Sequence, residues 1–66
     1  MVIEISGLNN ESLTSLNKIM LADGMPTVNM NEEGNAVAYD LCGWQCDHIL
    51  NACSILGLTS LLRNHA

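Results

Sequence analysis

The sequence predicts a small α+β domain: a three-stranded sheet, antiparallel at least in part, with two helices on one of its faces, in the order β-α-β-β-α. Three observations carry this expectation. Residues 1–6 (MVIEIS) place Met1, Ile3 and Ile5 on one side of an extended chain and Val2, Glu4 and Ser6 on the other. Residues 44–63 (WQCDHILNACSILGLTSLLR) hold the longest set of apolar residues at helical spacing. Between them, two short β-prone runs flank the turn-forming stretch NEEGN at 31–35.

Taken in order, Gly7 ends the first strand and either Asn9 or Asn10 can cap a helix that runs to about Ala22. Glu11 suits the positive end of that helix's dipole, and Leu13, Leu16, Ile19 and Met20 form its apolar face. Asp23-Gly24 ends it, with Gly24 free to adopt the left-handed conformation, and Pro26 prevents continuation. Residues 27–30 and 36–41 then read as a hairpin, with Val28, Met30, Val37, Tyr39 and Leu41 facing the core. Thr27, Asn29, Ala38 and Asp40 fall on the other face. In the long segment, Cys46, Ile49, Leu50, Cys53 and Leu56 make one continuous stripe, opposite Gln45, Asp47, His48, Asn51 and Ser54. Gly57 interrupts it, so two helices meeting there and one bent helix are both compatible with the pattern. Leu58, Leu61 and Leu62 prolong the stripe, Arg63 and His65 suit a helix C-terminus, and residues 64–66 are expected to fray.

With 66 residues the chain is read as one domain near the lower limit for a self-sufficient core, since domains of this size bury only about 60% of their unfolded surface. Absence of Phe makes the core aliphatic. Dimerisation would add buried area, so a monomer and a weak homodimer are both kept as readings. Residues 1–6 carry Glu4 rather than a basic start, so no signal peptide is expected, and apolar runs fall short of the ~20 residues a bilayer span needs. A cytoplasmic protein with reduced cysteines follows as the expectation.

Candidate sites reduce to a few clusters. Cys42, Cys46, His48 and Cys53 invite a metal reading. On a helix, however, Cys46 and His48 lie about 200° apart around the axis, which also separates them as a nucleophile–base pair. Cys46 and Cys53 sit on the apolar stripe and read as core residues. Glu32 and Glu33 lack the alternating acids of a calcium loop. No glycine loop for phosphate and no catalytic triad pattern is present. No cofactor, metal or enzymatic activity is therefore expected. Trp44 can cap the core at the start of its helix or serve as an exposed anchor.

What remains is charge. Seven acids against one Lys and one Arg give a net charge of −5, which repels nucleic acid and favours encounter with basic surfaces. Solubility alone accounts for such a charge; the functional expectation goes further. Glu4, Glu32, Glu33, Asp40 and Asp47 are expected to offer spaced negative charge to Lys and Arg in a larger protein's nucleic-acid channel, with Tyr39 and Trp44 adding desolvated area. In size, acidity and lack of enzyme motifs the chain resembles the small phage-encoded anti-CRISPR proteins, some of which act as DNA mimics. The resemblance implies a host-cell cytoplasmic location and a CRISPR effector complex as target, and it carries over no residue. The alternative expectation is a structural or regulatory domain that docks or dimerises through an apolar helix surface formed by Leu58, Leu61 and Leu62.

Overall fold

A computed structural model describes residues 1–63 of the protein. Strand β1 (Val2–Ser6) is followed by helix α1 (Asn10–Ala22), strand β2 (Ala36–Ala38), helix α2 (Gly43–Leu56) and strand β3 (Thr59–Arg63). The sheet order is β2-β1-β3, and both pairings are antiparallel. Ile3 and Ile5 of β1 are sealed beneath the helices, together with Leu16 and Met20 of α1 and Ile49 and Cys53 of α2. The α+β class, with two helices over one face of a three-stranded sheet, is the one the sequence predicts. The element order is β-α-β-α-β instead of β-α-β-β-α.

Local chemistry sets the boundaries of α1. The Asn9 side-chain oxygen accepts from the Ser12 N–H, and the Ser12 hydroxyl oxygen accepts from the Asn9 N–H, both at 2.8 Å. This reciprocal pair satisfies two of the donors that a helix start leaves open. At the other end Gly24 takes φ +73°, and the buried Met25 donates its N–H back to the Met20 carbonyl at 2.9 Å.

Three expectations are corrected. Residues 27–30 form no strand. The backbone of Val28 is held instead by the side chain of Asn17, whose amide donates to the Val28 carbonyl while its oxygen accepts the Val28 N–H, both at 2.9 Å. One primary amide on α1 thus supplies what a strand ladder would have supplied, and Val28 is buried without sheet pairing. Asn17→Ala leaves that partly buried N–H and C=O unpaired, and chemical denaturation should show a loss of about 1–3 kcal/mol. Asn17→Asp, which keeps the acceptor and loses the donor, should fall between that variant and the native chain.

The second correction concerns the C-terminal segment. Gly57 at φ +72° ends α2 in the left-handed conformation, with its N–H on the Ser54 carbonyl and the Leu58 N–H on the Cys53 carbonyl. Neither a bent helix nor a second one follows. Residues 59–63 run along β1 as β3, from Ser6 opposite Thr59 to Val2 opposite Arg63. An extended segment satisfies the backbone groups on the second edge of β1, which a further helical turn would leave open. Arg63 therefore lies in a strand rather than at a helix end. The expectations for His65 and for fraying of residues 64–66 fall outside the described residues.

The facing of β2 is also the reverse of that expected. Ala36 and Ala38 are buried, whereas Val37 is half-buried and Tyr39 is exposed. Ala38 pairs with Ile3, and Leu41 exchanges backbone hydrogen bonds with Met1, so Tyr39 and Asp40 together stand opposite Val2. Two residues against one is the count of a β-bulge. Leu41 does reach the core, but the extra residue shifts the parity of everything before it, and the alanines face inward in place of Val37 and Tyr39.

Candidate functional site

The face of the sheet away from the helices follows from the same alternation. Val2, Glu4 and Ser6 of β1 point to it, with Val37 and Leu61 flanking Glu4 in register and Arg63 opposite Val2. The Arg63 guanidinium forms an ion pair with Glu4 diagonally across the two strands. A shallow depression of about 270 Å³ crosses this face between Glu4, Ser6, Val37, Thr59 and Leu61.

Two further groups of predicted residues lie at opposite ends of β2. Glu32 and Glu33 occupy a turn organised by Asn31, whose side-chain oxygen accepts the N–H groups of Glu33 (2.9 Å) and Asn35 (3.0 Å). The Asn31 N–H also donates to the Asn35 carbonyl at 2.8 Å, and Gly34 closes the turn at φ +80°. Both glutamates are exposed. At the other end, Tyr39 and Asp40 form the bulge, and Asp40 takes φ +55°, a left-handed conformation that Asp tolerates better than most residues. The chain then enters α2, where Trp44 and Asp47 lie three residues apart on neighbouring turns. The Gln45 side chain accepts the Cys42 N–H at 3.0 Å and fixes the helix start. Tyr39 is 66% exposed and Trp44 57%, so the indole is not a cap on the core.

The seven predicted residues therefore form three groups rather than one patch. Tyr39 and Asp40 lie in the β2–α2 connection with Trp44 and Asp47 on the first turns of α2, Glu32 and Glu33 share the Asn31 turn, and Glu4 stands on the open sheet face. Gly34 and Asp40 are six residues apart with β2 between them, a span of at most about 20 Å. Glu11, a further exposed acid at the start of α1, was legible in the sequence as a dipole partner and not as part of the site. Asp23 takes the opposite role, set against His48 Nε2 across the α1–α2 boundary. Asn31 was the least legible of these residues, because an Asn in a turn gives no sign of how many N–H groups it will accept.

The cysteines divide as their spacing suggests. Cys46 and Cys53 are in the core and Cys42 is exposed, and burial pushes the Cys53 thiol up from its ordinary value. Among the described residues, no three His, Cys, Asp or Glu side chains converge as a metal-binding group, and no helix is long and apolar enough to cross a membrane. No protein-family model, curated protein or solved structure matches the chain.

Proposed function

We propose that this protein is an acidic interaction domain that occupies a basic, nucleic-acid-binding surface of a larger protein and so blocks nucleic-acid recognition. A CRISPR effector is the particular target suggested by the resemblance to small anti-CRISPR proteins. One observation carries the reading. Glu11, Glu32, Glu33, Asp40 and Asp47 are exposed and have no ion-pair partner among the described residues. Glu4 has already taken up Arg63, one of the chain's two Lys and Arg side chains. The remaining negative charge is thus uncompensated locally and free to meet Lys and Arg of another protein, in the role a phosphate backbone would take. Its placement at both ends of β2 suits a long basic channel better than a single basic pocket. Tyr39 and Trp44, exposed beside Asp40 and Asp47, supply the amphipathic rings on which interface energy concentrates.

The test is capture from a nuclease-treated bacterial lysate on the immobilised protein, followed by elution with salt and, separately, with duplex DNA. The expected partner binds nucleic acid, leaves the matrix in both eluates, and is not retained by a variant carrying Glu32→Lys, Glu33→Lys and Asp40→Asn. Asn at position 40 keeps a residue that tolerates the left-handed backbone, so the circular dichroism of the variant should match the native chain. A partner that DNA does not displace, or that the variant retains, would sink the proposal.

A further inference from the structure

The two edges of the sheet are unlike. β2 is three residues long, and the segment 27–31 runs beside it, so that Thr27, Asn29 and Asn31 line a depression together with Ala36 and Tyr39. That edge is short, bulged and flanked, the usual protections of a strand edge. β3 has none of these protections. It is five residues long with no proline, lysine or bulge, and among the described residues nothing pairs with its outer side. Leu61 and Leu62 point to opposite faces of the sheet and remain 50% and 42% exposed. A regular row of open backbone groups flanked by leucine on both faces is a template for another strand.

We infer that the outer edge of β3 pairs antiparallel with β3 of a second copy of this chain, about a two-fold axis at Leu61, to make a continuous six-stranded sheet. The sequence TSLLR is compatible with itself in this register. Leu61 meets its own counterpart, Ser60 meets Leu62, and Thr59 meets Arg63, so no like charges stand opposite one another. On the helix-covered face the row reads Ile5, Ser60, Leu62, Ile3, where the last two belong to the second copy, and each half-exposed Leu62 gains the small Ser60 as neighbour. On the open face the two Glu4 carboxylates are separated by both copies of β3, about 14 Å at three strand spacings, and the two Arg63 lie about 13 Å apart along the strands. Both separations exceed the ~8 Å screening length at physiological salt. The net charge of −5 therefore does not oppose the pairing at the seam. A two-fold, self-complementary contact of this kind is the commonest way in which identical chains associate.

Sedimentation of the full chain over a concentration series, with amide hydrogen exchange at dilute and concentrated ends, tests this directly. The expected result is a reversible monomer–dimer equilibrium in which β3 amides gain protection with concentration beyond the uniform rise that dimerisation gives to globally exchanging amides. Alternate residues only should gain it, because the intervening N–H groups already face β1. Leu61→Lys should weaken dimerisation about tenfold or more, since apolar area is lost twice and two ammonium groups face each other across the axis. Within one protomer the same ammonium stands opposite Glu4, so the dilute monomer should keep its melting temperature; Leu61→Ile should dimerise as the native chain does. A chain that sediments as a monomer at every concentration overturns the inference. So does concentration-dependent protection that leaves β3 unchanged, a readout that needs no variant, or a dimer that Leu61→Lys leaves intact. The pairing stands or falls independently of the acidic target surface, because the lysate capture reads Glu32, Glu33 and Asp40.

Discussion

Gly34→Ala should destabilise the domain by about 2–4 kcal/mol, combining left-handed strain with disruption of one backbone hydrogen bond. Gly34 sits at φ +80°, and a Cβ built there would lie 2.5 Å from the backbone carbonyl oxygen of Leu8. That oxygen cannot rotate away as a side chain could. Relief requires the Leu8 segment to move, and its N–H donates to the Gly34 carbonyl at 3.0 Å. The same displacement would disturb the turn that presents Glu32 and Glu33. Gly24 provides an internal control, since it has φ +73° and nothing within 4 Å of the corresponding Cβ. Gly24→Ala should cost only about 1–2 kcal/mol, the left-handed penalty alone. Urea denaturation of the two variants separates strain from steric contact; equal losses would show that the Leu8 approach carries no weight.

Ile49→Ala is expected to cost about 2–5 kcal/mol, the range for truncating a large aliphatic side chain in a packed core. Ile49 is 0% exposed and shares the core with Ile3, Ile5, Leu16 and Met20. The residue lies on α2, which packs against both α1 and the sheet, so neither neighbour can close the cavity without moving the helix. A domain of this length has a total stability of about 3–10 kcal/mol at the usual value per residue. The variant is accordingly expected to be substantially unfolded at physiological temperature by circular dichroism. Ile55 on the same helix is 72% exposed, and Ile55→Ala should leave the melting curve nearly unchanged. The contrast tests the assignment of the buried stripe on α2.

The parts of the fold written in local periodicity were legible in the sequence. The alternation of Ile3 and Ile5 with Glu4, the caps of α1 and the stripe of Cys46, Ile49 and Cys53 each depend on neighbours within one element. What was not legible depends on distant partners. The fate of residues 27–30 is decided by the amide of Asn17, eleven positions earlier, whose chemistry fits a surface residue equally well. Residues 58–62 have leucines at spacings that suit a helix or a strand, and the choice falls to β1, which has a second edge to satisfy. The inward facing of Ala36 and Ala38 turns on a single extra residue at 39–40, where Asp gives no strong sign of a positive φ. For the candidate site, individual exposure of the acids was legible. Their distribution was not, because it depends on the bulge and on the Asn31 turn.

The sheet order β2-β1-β3 makes the first strand of the sequence the middle strand of the sheet. Val2 finds its partner at Arg63 and Ile3 at Leu62, so nearly the whole length of the chain is enclosed by one ladder. During synthesis β1 is made before both of its neighbours and must wait for them, with Ile3 and Ile5 unprotected until α2 and β3 have been made. Closing so long a loop before any contact rewards it slows folding. Closure of the sheet therefore awaits the C-terminal segment, and the domain is expected to assemble in one late step rather than strand by strand.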